Sequence, residues 1–202
     1  MKKLLSIFVC FALFLTFTAC KGKNDENNNT SKIDLEYYAK IGKMPEIDFT
    51  LGDDVDDVIA KLTKKQNEID AEHQDDPDHS HTHDQAEFIF NVIEGEKNVL
   101  IDNGVANYYY NKNNKDKGIS YIVNYDTAFG IEKGALVSEV QSHLTGYELK
   151  QIDATKEEIF FASYITDATV LRYEIKNVVI MFVFQENQLY ATAMYDVNNW
   201  KF

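Results

Sequence analysis

The sequence is poor in cysteine and lacks the short motifs on which many enzyme active sites depend. It has two cysteines: Cys10 lies inside an N-terminal apolar segment, and Cys20 directly follows that segment. The remaining chain cannot form a disulfide, so packing must hold its fold together. No glycine-rich phosphate loop, HExxH, CxxC or GxSxG pattern occurs. These absences favour a protein that binds without turnover, with a cell-envelope hydrolase kept as an alternative.

Positive charge is also scarce. The chain has 20 Lys and Arg residues against 33 Asp and Glu residues, a formal net charge of −13. Loss of residues 1–19, which hold two lysines and no acidic residue, leaves 18 − 33 = −15. A charge of this sign repels phosphate backbones and anionic lipid head groups. We therefore expect no nucleic-acid partner, and we expect any membrane contact to come from a lipid anchor.

Long apolar runs are absent except at the N-terminus. Two lysines precede the apolar residues 4–19, which is the pattern of an export signal, and the run is shorter than the roughly 20 residues of a spanning helix. The stretch "LTFTAC" resembles the bacterial lipobox, which implies cleavage before Cys20 and diacylglycerol on its sulfur. An ordinary secretory signal with an incidental cysteine is the alternative.

We therefore predict a lipoprotein signal peptide at residues 1–19, then a lipidated Cys20 and a flexible linker at residues 20–45. The stretch "KGKNDENNNTSK" has almost nothing to bury before Ile33. The predicted location is the outer face of the cytoplasmic membrane of a Gram-positive-type bacterium.

The rest of the chain contains two stretches that look alike, which we assign to residues 46–126 and 127–202. Each begins with a helical pattern, in "FTLGDDVDDVIAKL" and "IEKGALVSEVQSHL". A shift of 82 positions superimposes their apolar faces, formed by Val55, Val58, Ile59 and Leu62 in the first and by Val137, Val140 and Leu144 in the second. We predict that Asp53 caps the first helix and that Gly52 and Gly134 are turn residues.

β-type runs follow each helix: "EFIFNVIE", "VANYYYNK" and "GISYIVNYD", then "TVLRYEIK", "VVIMFVFQ" and "QLYATAMYD". The closing runs match with a shift of 70, so the first stretch has 12 extra residues, which we assign to an inserted loop at residues 72–87. The predicted fold class is α+β, with two tandem repeats of a helix packed on an antiparallel sheet.

This plan resembles the β-lactamase-inhibitor-protein-like fold over roughly residues 47–200. The segments "GALVSEVQSHL" and "LRYEIKNVVIMFVFQEN" are also similar to a Gram-positive lipoprotein family of unknown function built on the same plan. In the inhibitor proteins the concave sheet face grips a partner enzyme. The resemblance therefore implies a protein or envelope partner on an open sheet face, although no residue here carries that specificity over.

Four of the five histidines lie in "EHQDDPDHSHTHDQAE", the histidine tract, at positions His73, His79, His81 and His83. Alternation along an extended stretch would point the last three imidazoles the same way, as ligands of a tetrahedral Zn²⁺. Pro77 argues against a preformed helix, so such a site would assemble loosely on the metal and depend on pH. The alternatives are a solvated insert and a pH sensor. The fifth, His143, beside Ser142, is predicted to be a helix-surface residue.

The aromatic residues suit either a packed core or an adhesive sheet face. The relevant residues are Tyr108, Tyr109, Tyr110, Phe182, Phe184, Tyr190, Tyr195 and Trp200. Because strand residues alternate sides, Tyr109 must face away from both of its neighbours. We expect packing to account for most of these rings and an exposed aromatic patch to remain on the open face.

The predicted function is that of an extracytoplasmic, lipid-anchored binding module without catalysis, to which the histidine tract lends weak divalent-metal affinity, for Zn in the first place. The runner-up is a zinc-capture accessory lipoprotein of a metal-uptake system, because His- and Asp-rich loops of this composition resemble those of extracellular zinc-acquisition lipoproteins.

Overall fold

The computed structural model describes residues 33–74, 90–152 and 158–201. Three α-helices are α1 (Leu35–Ile41), α2 (Val55–Gln74) and α3 (Val137–His143). The strands are β1 (Asn91–Glu94), β2 (Asn98–Asp102), β3 (Ala106–Asn111), β4 (Tyr121–Asn124), β5 (Lys150–Ile152), β6 (Thr169–Ile175), β7 (Val178–Gln185) and β8 (Gln188–Asp196). Within these ranges no helix is both long and apolar enough to cross a membrane.

The eight strands form one antiparallel sheet in the order β1-β2-β3-β4-β8-β7-β6-β5. The two halves of the chain therefore contribute four strands each, and they meet where β4 pairs with β8. In that central pair Tyr121 lies opposite Tyr195 and Asn124 lies opposite Thr192. The predicted α+β class with an antiparallel sheet is confirmed.

The predicted helical faces are buried as expected. In α2, Val55, Val58 and Leu62 are 0–2% exposed. At α3, Val140 and Leu144 are buried in the same way. The predicted N-cap is wrong by one residue. The Asp54 carboxylate accepts the backbone N–H groups of residues 56 and 57 at 2.9 and 3.0 Å, whereas the Asp53 carboxylate accepts both donors of Thr50. Asp54 caps the helix because it sits directly before its first turn.

Part of the segment assigned to the linker, residues 20–45, is helical. Helix α1 is capped by the Asp34 carboxylate, which accepts the Tyr37 N–H at 3.0 Å, and it ends at Gly42, which has a φ of +66°. Leu35, Ala39 and Met44 are 0–2% exposed within the core. Apolar residues therefore resume as soon as Ile33, and the second half of the assigned linker is part of the domain.

The sheet separates two cores. On one face, the three helices pack over residues such as Ile101, Tyr108 and Phe182. On the other face, a second core contains Tyr109, Tyr121 and Val183. Residues 158–168, together with Trp200, close this second core over the strands of the second half and over Tyr109 and Tyr121 of the first. We call residues 158–168 the cover.

This second core corrects the expectation of an open aromatic face. The structure buries Tyr108, Phe182 and Phe184 on the helix side and Tyr109, Tyr195 and Trp200 on the other side, each at most 7% exposed. Tyr110 and Tyr190 are half-buried. The sequence pattern does not reveal the closure because the cover lies between strands and has little regular structure, with a single 3-10 turn at Phe160–Ala162.

A turn at Phe129 and Gly130 joins the two halves. It is held by the carboxylate of Glu46, a residue that precedes α2. Phe129 and Gly130 both have positive φ, 57° and 69°, and Ala128 pairs with Ile131. The Glu46 carboxylate accepts the N–H of Phe129 at 2.8 Å and that of Gly130 at 2.6 Å. The Phe129 ring packs near Phe182, so Glu46 fixes a strained turn against the helix-side core.

Candidate functional site

The residues predicted as sites fall largely outside the described part of the chain. The described part does not include Cys20, His79, His81 or His83. Of His73 it includes the backbone, in the last turn of α2. Among the residues that the structure describes, no group of three His, Cys, Asp or Glu side chains is arranged to hold a metal ion. His143 is exposed on α3, and the Ser142 hydroxyl donates to the Glu139 carbonyl at 2.7 Å rather than to a histidine.

Specific polar contacts pin the cover to the sheet. The Arg172 guanidinium donates to the Glu158 carboxylate at 2.6 Å and to the Glu174 carboxylate at 3.2 Å. The Tyr121 hydroxyl donates to the Glu158 carbonyl at 2.9 Å. Phe160 then stacks on Trp200 with ring centroids 5.3 Å apart. An ion pair, a buried hydroxyl and a ring stack thus hold the cover over the second half of this face and over β4.

No described residue closes the outer part of the same sheet face, over β1, β2 and the Asn107 end of β3. Strand register places Asn91 opposite Asp102 and Asp102 opposite Asn107, and it places Ile93 opposite Leu100. All five side chains are half-buried or exposed, and Ile93 is 53% exposed. Directly opposed residues share a face, so these side chains form one surface. We call them, with Tyr125 at the border of the cover, the open face.

Asn107 is the central residue of the open face. Its side-chain amide Nδ2 donates to the hydroxyls of Tyr109 and Tyr125, each at 3.4 Å. Burial raises the pKa of both tyrosines, and the neighbouring Asp102 carboxylate raises them further. Both hydroxyls therefore stay neutral, and each can donate and accept hydrogen bonds. The open face presents two amides, one carboxylate and the Tyr125 hydroxyl beside apolar side chains, and the Tyr109 hydroxyl adjoins it.

Aromatic rings continue from the open face toward the cover. The Tyr125 ring lies 5.8 Å from Tyr190 and 6.3 Å from Phe161, centroid to centroid. The Lys133 ammonium lies 5.8 Å from the Tyr190 ring, and Tyr164, which contacts Tyr190, is 65% exposed. This border is the part of the predicted exposed aromatic patch that the structure retains.

A second concave region lies beside α1. It is a cleft of about 770 Å³, within the range of small-ligand pockets, which is about 300–1,000 Å³. Its walls carry charges of both signs, including Glu36, Lys40 and Lys176, above an apolar floor at Leu51 and Val178. In this cleft Asp196 is already occupied, because its carboxylate accepts side-chain and backbone donors from Asn177, Asn198 and Asn199.

The described titratable groups offer little acid–base chemistry. Most of the groups with a displaced pKa are tyrosines, and burial is the main cause in each case. The other two are surface groups: a hydrogen bond from Lys112 lowers the pKa of Glu94, and a hydrogen bond to Asp56 raises that of Lys115.

Sequence reasoning missed Asn107, Asp102 and Asn91 as neighbours because it did not find β2. Without that strand, "ANYYYN" has no partner that brings its first asparagine beside a carboxylate. The signal that could have shown β2 is the short apolar run in "NVLID", which is followed by the turn residues Asn103 and Gly104.

Comparison with known proteins gives a weak structural similarity. No protein-family model and no curated protein matches this sequence. Among solved structures, the chain is similar to a DUF4309 family protein, YjgB, from Bacillus subtilis. The identity is 14%, the alignment covers 83% of this chain and 95% of that chain, and the TM-score is 0.45. At this level of similarity the comparison assigns no family, ligand or activity to this chain.

Proposed function

We propose that this protein is an extracytoplasmic, lipid-anchored binding module that acts without catalysis and meets a protein or envelope partner through the open face. The observation that carries the proposal is the difference between the two halves of one sheet face. The cover closes that face over the second half and over β4, whereas no described residue closes it over β1 and β2. Half-buried tyrosine, asparagine and aliphatic side chains are the composition that recognition surfaces use.

The proposal includes two tandem repeats of the β-lactamase-inhibitor-protein-like type. A repeated backbone contact supports it. The Gly52 N–H donates to the Ile119 carbonyl at 2.7 Å, and the Ile119 N–H donates to the Asp53 carbonyl at 3.0 Å. In the second half, the Gly134 N–H donates to Leu189 and the Leu189 N–H donates to Ala135, both at 2.8 Å.

The positions in these two contacts match the internal similarity of the sequence. Gly52 and Gly134 differ by 82 positions and both have a φ of +88°, and Ile119 and Leu189 differ by 70. These are the two shifts that align the sequence halves.

The anchor and the metal affinity are further parts of the proposal. A lipid on Cys20 and a tether of about a dozen polar residues would hold the domain near the outer face of the cytoplasmic membrane. The histidine tract would bind Zn²⁺ weakly as an accessory property. The first test is fractionation of cells: a Cys20→Ser variant should leave the membrane fraction, and its retention there would remove the anchor.

The binding proposal is tested by photo-crosslinking in cells. A photoreactive residue at Asn107 should give an adduct that persists in the presence of a chelator, because the open face needs no metal. The matched control is the same residue at Lys64, which lies on the exposed surface of α2. Equal labelling from both positions, or none from Asn107, would contradict a partner at the open face.

A further inference from the structure

The open face is small, and its size restricts what can bind there. Three steps between neighbouring strands, each about 4.8 Å, and four residues of about 3.4 Å give a patch of roughly 14 by 14 Å, or about 200 Å². A stable protein interface needs about 800 Å² from each partner and an apolar centre. The apolar part of this patch consists of Ile93, Leu100 and the ring of Tyr125, so the patch suits a slender ligand better than a protein surface.

Its polar groups form a row across the strands. Asn91, Asp102 and Asn107 lie opposite one another in register, so their side chains are spaced by about the strand separation of 4.8 Å. Ile93 and Leu100 form a parallel apolar row next to it. A row of hydrogen-bonding groups beside an apolar row complements a ligand that has a hydroxyl edge and a C–H face.

Charge narrows the ligand class further. Asp102 is the one charged residue in the open face as defined, and it is negative. The whole chain carries a formal charge of −13, so anionic polymers are repelled from this surface. The tyrosine hydroxyls remain neutral because burial raises their pKa. An uncharged ligand rich in hydroxyl groups meets no electrostatic penalty here.

We infer that the open face binds a neutral glycan chain. Amide and carboxylate side chains hydrogen-bond to pairs of sugar hydroxyls, and aromatic and aliphatic side chains contact the C–H faces of the sugar rings. The inference rests on the proposed function and names the class of envelope partner. Asn107 is the central group, because it lies in the polar row and its amide is oriented by Tyr109 and Tyr125.

The test is calorimetric titration of the full-length protein, in detergent, with three probes: chitohexaose and cellohexaose as neutral glycans, and polygalacturonate as an anionic one. At least one neutral glycan should bind and the anionic one should not. Asn107→Ala should weaken binding about tenfold, since it removes contacts worth about 1.4 kcal/mol. Tyr125→Phe, which keeps the ring and its packing, should weaken binding about threefold. The matched control Tyr37→Phe, at a 53% exposed tyrosine on α1, should leave binding unchanged.

Three results would overturn the inference: no binding of either neutral glycan by the unaltered protein, tighter binding of the polyanion, or equal affinities in all variants. The crosslinking experiment at Asn107 separates this failure from that of the proposed function. If no glycan binds but a specific protein adduct forms at Asn107, the glycan inference is wrong and the proposed binding module is retained. Absence of both glycan binding and any adduct would remove both.

Discussion

Replacing Phe160 with alanine should loosen the cover and destabilise the protein by about 2 kcal/mol. The Phe160 ring centroid lies 4.9 Å from that of Tyr109, 5.2 Å from Tyr121 and 5.3 Å from Trp200. A Phe→Ala change in a fully buried core costs about 3–5 kcal/mol. We reduce this value because the Phe160 side chain is only half-buried. The three ring contacts, at about 0.5–1.5 kcal/mol each, are consistent with a loss of about 2 kcal/mol.

The assay is urea unfolding followed by tryptophan fluorescence. Trp200 is the single tryptophan of the chain, and its ring stacks on Phe160 at an interplanar angle of 26°. The variant should unfold at lower urea with an unchanged slope, and its native emission should shift to the red as water reaches the indole. Tyr164→Ala is the control, because Tyr164 belongs to the same segment but is 65% exposed, and it should cost at most about 0.5 kcal/mol. Equal, small losses in both variants would refute the assignment of the cover to the second core.

Three further predictions concern the turn, the buried tyrosines and the histidine tract. Glu46→Ala should lower the free energy of unfolding by about 1 kcal/mol, because two turn N–H groups lose their acceptor; an unchanged thermal midpoint would contradict this. Burial raises the pKa of Tyr108 and of Tyr195 to about 12 from 10.0. Each tyrosine therefore contributes roughly 3 kcal/mol to stability below pH 10, and this contribution is lost as the pH rises to 12. Tyrosinate absorbance should therefore appear together with unfolding in that window, and ionisation of every tyrosine near pH 10 without unfolding would argue against burial. Zinc titrated into untagged full-length protein should bind more tightly than to a variant with glutamine at all four tract positions; equal affinity would remove metal binding by the tract.

Elements with strong periodicity could be predicted from the sequence. The apolar positions of α2 and α3 recur at helical spacing, and β6, β7 and β8 are long runs of β-branched and aromatic residues. In β7 seven of the eight residues are buried, because both sheet faces are covered there. Such a strand shows no alternation, and its length and composition identify it.

The elements that were missed are short or depend on distant contacts. Helix α1 has seven residues, too few to be stable alone. It forms because Leu35 and Ala39 enter the core and the Tyr147 hydroxyl accepts the Leu35 N–H at 3.1 Å across the domain. Strand β5 has three residues, paired with β6. Neither has a local pattern strong enough to stand out in the sequence.

The size of the insert shows how a net count can hide two opposite differences. The helix of the first half has 20 residues and that of the second has 7. Conversely, β1 and β2 are joined by residues 95–97, whereas β5 and β6 are joined by residues 153–168, which include the cover. These two differences, 20 − 7 = 13 and 3 − 16 = −13, cancel each other. Most of the surplus of 12 positions lies instead in the connection from the helix to the next strand, residues 75–90 in the first half against residues 144–149 in the second.

The different lengths of the β1–β2 and β5–β6 connections also explain why the two halves present different surfaces although their strands are arranged alike. A connection of three residues between two strands cannot reach across a sheet face, because a chain extends at most about 3.3–3.6 Å per residue. Sixteen residues can cross it and bring Ile159 and Ile165 over the strands. The additional length in the first half lies between its helix and β1, so the β1–β2 connection has no residues to spare for a cover. The open face over the first half therefore follows from where each half carries its additional residues, and an engineered β1–β2 connection carrying the cover sequence should close it and abolish crosslinking from Asn107.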